Sequence, residues 1–82
     1  MQLTKADYDS LLPYKDIIKH VSFGGNTNKG DAWWAMNTVN INRLGQALTG
    51  SGCSACMVEQ YQRYWNYIEE YEAQLFNLTN NN

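Results

Sequence analysis

The chain has 82 residues, 44% hydrophobic and 13% aromatic, with a formal net charge of −2 at pH 7. That length suits one small domain spanning 1–82, and so weak a charge argues against a charged disordered chain and against a basic nucleic-acid binder. No apolar run approaches the ~20 residues of a membrane-spanning helix.

The opening segment MQLTKADYDS lacks the apolar stretch of a secretory signal, which predicts a cytoplasmic product in a reducing compartment. Thr4 is placed to cap a first helical turn, with Asp7 at the third position of a capping box. Pro13 forbids an uninterrupted helix, and a restart at Ser10 puts Pro in the first turn, where it does no harm. A helix over 11–22 then places Leu11, Tyr14, Ile18 and Val21 on one face.

A loop is predicted over 23–31, where FGGNTNKGD holds three Gly and two Asn; Asp31 is placed to cap the next helix. In AWWAMNTVNINRLGQALTG, residues 32–50, Trp34, Ile41, Leu44 and Leu48 share a helical face with Asn37 in the gap. Trp33 and Met36 lie to one side. One helix over 32–49 is expected, or two pieces broken near Asn40, because Thr38, Val39 and Asn40 are weak helix formers. Gly45 counts against the second piece by about 1 kcal/mol, and Gly50 reads as a stop.

The last segment carries the strongest pattern. Met57, Tyr61, Tyr64, Ile68, Tyr71, Leu75 and Leu78 recur at alternating spacings of four and three, a heptad seam that predicts a long aromatic helix from about 53 to 77. Trp65 and Phe76 widen the stripe. The ending NLTNNN reads as a frayed polar tail over 79–82; its Asn-Leu-Thr glycosylation match carries no weight without a secretory signal. No segment reads as a strand. The fold expected is all-α: a small bundle of three to four helices dominated by the last.

Cys53 and Cys56 sit at the start of that helix, off its main apolar stripe, and three readings of them stand. They are small packed residues, the default for a free Cys. They are half of a zinc site, although His20 is the only other soft ligand in the chain, so a closed site needs a carboxylate or a second copy. Or they are a redox pair, with the helix N-terminus favouring thiolate, outside any thioredoxin-like βαβ context.

The other polar residues are poorer candidates for chemistry. His20 beside Lys19 reads as a surface residue, and Glu69, Glu70 and Glu72 as a solvated acidic face that repels phosphate backbones. Gly24-Gly25-Asn26 lacks the strand and the Gly-Lys-Ser/Thr ending of a phosphate loop. No catalytic constellation is visible, so the expectation is a non-enzymatic protein.

The run NRLGQALTGSGCSACMVEQYQRY, residues 42–64, resembles a pattern in small uncharacterised proteins of tailed phages, in which a helix leads through a Gly/Ser turn into Cys-x-x-Cys and a further helix. The resemblance implies a phage-encoded product in the host cytoplasm or the virion: a structural or assembly accessory, or an inhibitor of a host enzyme or defence system acting by occlusion. The expected partner is a protein or a second copy of the chain, with no nucleic acid and no membrane. The aromatic residues Trp33, Trp34, Tyr61, Tyr64, Trp65, Tyr67 and Tyr71 are the candidate contact residues. Adjacent helix positions point about 100° apart, so of Trp33 and Trp34 one suits the core and the other an interface.

Overall fold

The structure, a computed structural model, describes residues 1–25 and 30–80. Among these residues it is all-helical, without strands: α1 (Lys5–Leu11), a 3-10 turn (Leu12–Tyr14), α2 (Lys15–Ser22), α3 (Asp31–Leu44) and α4 (Ser54–Asn80). Residues 26–29 of the predicted 23–31 loop and residues 81–82 of the predicted tail lie outside the described residues.

The first helix starts as its sequence dictates. The Asp7 N–H donates to Thr4 Oγ1 at 3.2 Å, and the Thr4 N–H donates to Asp7 Oδ2 at 3.0 Å, which closes a reciprocal capping box. The helix then runs past Ser10 to Leu11, rather than restarting at Ser10. Pro13 has no N–H to continue the ladder, so the chain tightens into the 3-10 turn and resumes as α2. Leu11, Ile18 and Val21 are buried, and Tyr14 packs partly against them.

Gly30, not Asp31, is the N-cap of α3; Asp31 lies in its first turn, where a carboxylate suits the helix dipole. The helix continues unbroken through Thr38–Ile41 and ends five residues before the predicted 49. Its C-cap is Gly45 at φ +76°, left-handed backbone that favours glycine. The glycine that counts against a longer helix is therefore the terminator of this one. Beyond it the chain folds back: Asn40 Nδ2 donates to the Gln46 carbonyl at 2.8 Å, and the Leu48 N–H donates to Asn37 Oδ1 at 2.8 Å. These two carboxamides hold the returning segment in place and bury Leu48.

The inward face of α3 is Ala32, Trp33, Met36, Val39 and Asn40, spaced by helical turns. Of the face expected from spacing, Trp34, Ile41 and Leu44 stay exposed, while Trp33 and Met36, expected to one side of it, are buried. The Trp33 ring meets Tyr61 of α4 at 6.0 Å between centroids, and that contact orients α3.

The N-terminal half of α4 supplies Met57, Tyr61, Tyr64, Trp65 and Ile68 to the core, packed chiefly along α2, while α1 packs on α3. Burial fades at Tyr71 and Glu72, and residues 73–77 are all exposed. At 27 residues α4 is about 40 Å long, which accounts for most of the 46 Å long dimension. The radius of gyration of 12.9 Å exceeds the roughly 12 Å of a compact domain this size for the same reason. The helix also continues through Thr79 and Asn80, where a frayed tail is predicted, since no Gly or Pro in that stretch stops it.

Candidate functional site

Folding divides the seven candidate aromatic residues into an interior and an exterior set. Trp33, Tyr61, Tyr64 and Trp65 are core residues. Trp34 is 54% exposed, and Tyr67 and Tyr71 are half-buried. A partner meeting the folded chain therefore meets Trp34 and the edges of Tyr67 and Tyr71, not the ring cluster as a whole. The interior rings are fixed from several sides: Tyr64 packs edge-on to Tyr67 at 5.2 Å, and the Lys19 ammonium lies 5.6 Å from the Trp65 ring. Burial pushes the Tyr64 hydroxyl up to about 12 and raises Tyr61 as well, so both remain neutral.

On the outer side of α3, Trp34 is joined by Ile41 and Leu44, 46% and 47% exposed. Positions 34, 41 and 44 fall within about 80° of each other on a helical wheel, so they share one outer face, interrupted by Asn37, which holds the returning Leu48 N–H. Met36 and Val39 on the other side, and Trp33 at the border between the two, are at most 3% exposed. Two apolar faces on one helix are one more than this fold buries.

Cys53 and Cys56 stand at the N-terminus of α4, Cys53 exposed and Cys56 partly covered. Cys53 occupies the capping position. Its carbonyl accepts the Met57 N–H at 2.9 Å, and its Sγ accepts the Cys56 N–H at 3.3 Å, where Ser or Asp usually serves. The Cys53 N–H donates to the Gly50 carbonyl at 3.1 Å, which closes a tight turn against the helix start. Gly50 takes φ +86°, and a Cβ there would come within 2.5 Å of Cys56 Cβ, so only glycine lets the turn lie on the second cysteine. A hydrogen bond from the Cys56 thiol, then the Cys56 and Ala55 backbone, lowers Cys53 below the ordinary thiol value; the same thiol–thiol bond, with burial, raises Cys56. Among the described residues, no three His, Cys, Asp or Glu side chains gather where a metal ion could be held.

His20 lies beside Gly25 and rims a shallow groove with Asp16, Lys19 and Phe23. Glu69 and Glu70 are exposed, but Glu72 is not a free member of an acidic face. Glu72 Oε2 accepts both the Tyr8 hydroxyl and the Lys15 ammonium at 2.6 Å, and the Tyr8 ring stacks on Tyr71 at 4.5 Å. This clasp ties α1 and α2 to the middle of α4.

A second polar centre is built around Asn40, which is 3% exposed. Its Oδ1 accepts the Tyr64 hydroxyl at 2.8 Å and an Arg63 N–H at 3.0 Å. Nearby, Arg43 pairs with Asp7 and donates to the Gln2 carbonyl at 3.0 Å. Sequence reading misses both centres, because the partners they join across helices are 23 to 64 residues apart along the chain. The one local trace is Asn40 itself, a poor helix former held where the apolar inward face requires a helix.

No helix among the described residues is long and apolar enough to cross a membrane. The chain matches no protein-family model, no curated protein and no solved structure.

Proposed function

We propose that this chain is a non-enzymatic protein–protein interaction module that docks its partner on the outer face of α3. The observation that supports this reading is the Trp34–Ile41–Leu44 stripe, left roughly half exposed while the opposite face of the same helix is buried. A tryptophan flanked by aliphatic residues at whole-turn spacing is the pattern by which a helix enters an apolar groove, and tryptophan is over-represented among the residues that dominate binding energy. The resemblance of residues 42–64 to small tailed-phage proteins supports, as the proposed partner, a larger subunit of a phage assembly in the host cytoplasm or the virion. The other reading of the same face is an inhibitor that occludes a host enzyme or defence protein.

The test is a Trp34→Gln/Ile41→Gln double variant. Both replacements are good helix formers at exposed sites, so each costs within about 0.5 kcal/mol of stability. If the accessory reading holds, light scattering finds an assembly in the wild type, alone or with a particle subunit, that falls to monomer in the variant. A monomeric wild type that binds one host protein 1:1, with binding lost in the variant, favours the inhibitor. Wild type and variant behaving alike in both assays overturns the docking face.

A further inference from the structure

We propose that Cys53 and Cys56 form a thiol–disulfide exchange site, with Cys53 as the attacking thiol, Cys56 as the resolving thiol, and low-molecular-weight disulfides of the oxidised-glutathione class as the reacting partner. The inference uses none of the α3 docking residues, so either reading can fail without the other.

The geometry gives the two sulfurs different tasks. Cys53 is exposed, open to an incoming disulfide, and its Sγ accepts the N–H of Cys56 at the start of a long helix. Backbone donors and the helix dipole both favour negative charge there. Cys56 is partly covered, with Gly50 lying close against its Cβ. The candidate nucleophile is thus outward and faces a backbone donor that favours thiolate, while its neighbour is the more covered of the two. Side chains three apart on a helix are within about 5–6 Å of each other, and the Cys53 sulfur already faces the Cys56 N–H at 3.3 Å, so closure needs side-chain rotation rather than unfolding.

The chemistry balances without a metal. The Cys53 thiolate attacks one sulfur of the disulfide RSSR; that S–S bond breaks, and a mixed disulfide forms as RS⁻ departs and takes up the proton Cys53 had released. Cys56 then loses its proton to water and attacks the Cys53 sulfur. The second RS⁻ leaves and is protonated, and a Cys53–Cys56 disulfide remains. One RSSR is reduced to two RSH as the dithiol is oxidised by two electrons. The ring closed is short, so it removes little entropy from the unfolded chain, and the bond is reversible rather than a structural staple.

The experiment uses the full chain in glutathione buffers of graded redox poise, with intact-mass readout. The wild type should lose two hydrogens as the buffer becomes oxidising and regain them on reduction. Cys56→Ser should accumulate one glutathione adduct at Cys53. Cys53→Ser should form its adduct at least about tenfold more slowly at pH 7. Serine is itself a capping residue, so this variant keeps the helix start intact. Equal adduct rates in the two variants, matching those of the chain unfolded in guanidinium, would overturn the assignment. So would a stoichiometric zinc ion that survives gel filtration and blocks both thiols in the wild type.

Discussion

Asn40 shows how one side chain organises three parts of this molecule. Its amide nitrogen holds the segment after Gly45, and its carbonyl oxygen accepts from Tyr64 and Arg63 of α4. An interior hydroxyl that loses its acceptor forfeits both the bond and its former hydration, a larger loss than a bond removed from both ends. Asn40→Ala should therefore destabilise the chain by about 2–4 kcal/mol, and Tyr64→Phe by only about 1 kcal/mol. In the double variant the orphaned hydroxyl is absent, so its cost should be less than the sum of the singles. Urea unfolding of the four proteins measures this, and simple additivity would show that the hub is not coupled. From the sequence alone, Asn40 looks like a helix break. A carboxamide lowers helix propensity locally, and nothing local reveals that its partners 23 and 24 residues on repay the loss.

Between elements, legibility follows the range of the interaction. The capping box of α1 is complete within four residues and can be read directly, whereas the clasp of Tyr8, Lys15 and Glu72 spans most of the chain and cannot. The end of α3 lies between these cases: Gly45 is a standard stop, but an apolar residue beyond it, Leu48, extends the periodic pattern and hides the terminus. The clasp and the cap make folding pH-dependent. Burial alone raises Glu72, but the Lys15 and Tyr8 hydrogen bonds outweigh it and the net value is below the ordinary 4.5; Asp7 is likewise raised by burial but held below 3.8 overall by Thr4 and Arg43. A carboxylate lowered on folding contributes stability in full above its unfolded value and loses it as pH falls through the folded one. The melting temperature should therefore hold steady above about pH 5 and decline below the 3.8–4.5 interval, and Glu72→Gln should flatten part of that decline. Tyr8 acts in the opposite direction. The hydrogen bond to Glu72, with burial, raises it from 10.0 to about 12, so its contribution is intact below pH 10 and lost towards pH 12. A melting temperature flat across both ranges would mean the clasp adds nothing.

For the molecule as a whole, the helical class follows from spacing, because a 3.6-residue period repeated over many turns has no competing reading. The orientation of α3 does not follow, because Trp33–Met36–Val39 and Trp34–Ile41–Leu44 are equally good apolar faces. Which one turns inward depends on Tyr61, 28 residues further along, whose ring packs with Trp33. For the same reason the Trp34–Ile41–Leu44 face, legible as a set in the sequence, cannot be told from the core face until the fold is known. The dithiol is the reverse case, since its spacing is plain in the sequence and only the capping geometry distinguishes one sulfur from the other. The placement of the three indoles also equips the chain optically. Trp33 and Trp65 are shielded at 2% and 9% exposure, and Trp34 alone is open to solvent. Iodide should quench one emitting population and spare the rest; Trp34→Gln should abolish the quenchable fraction, and guanidinium should make both remaining fluorophores accessible. Anything that settles on the outer side of α3 would shield that lone exposed emitter, so the proposed docking face carries its own unlabelled reporter of occupancy.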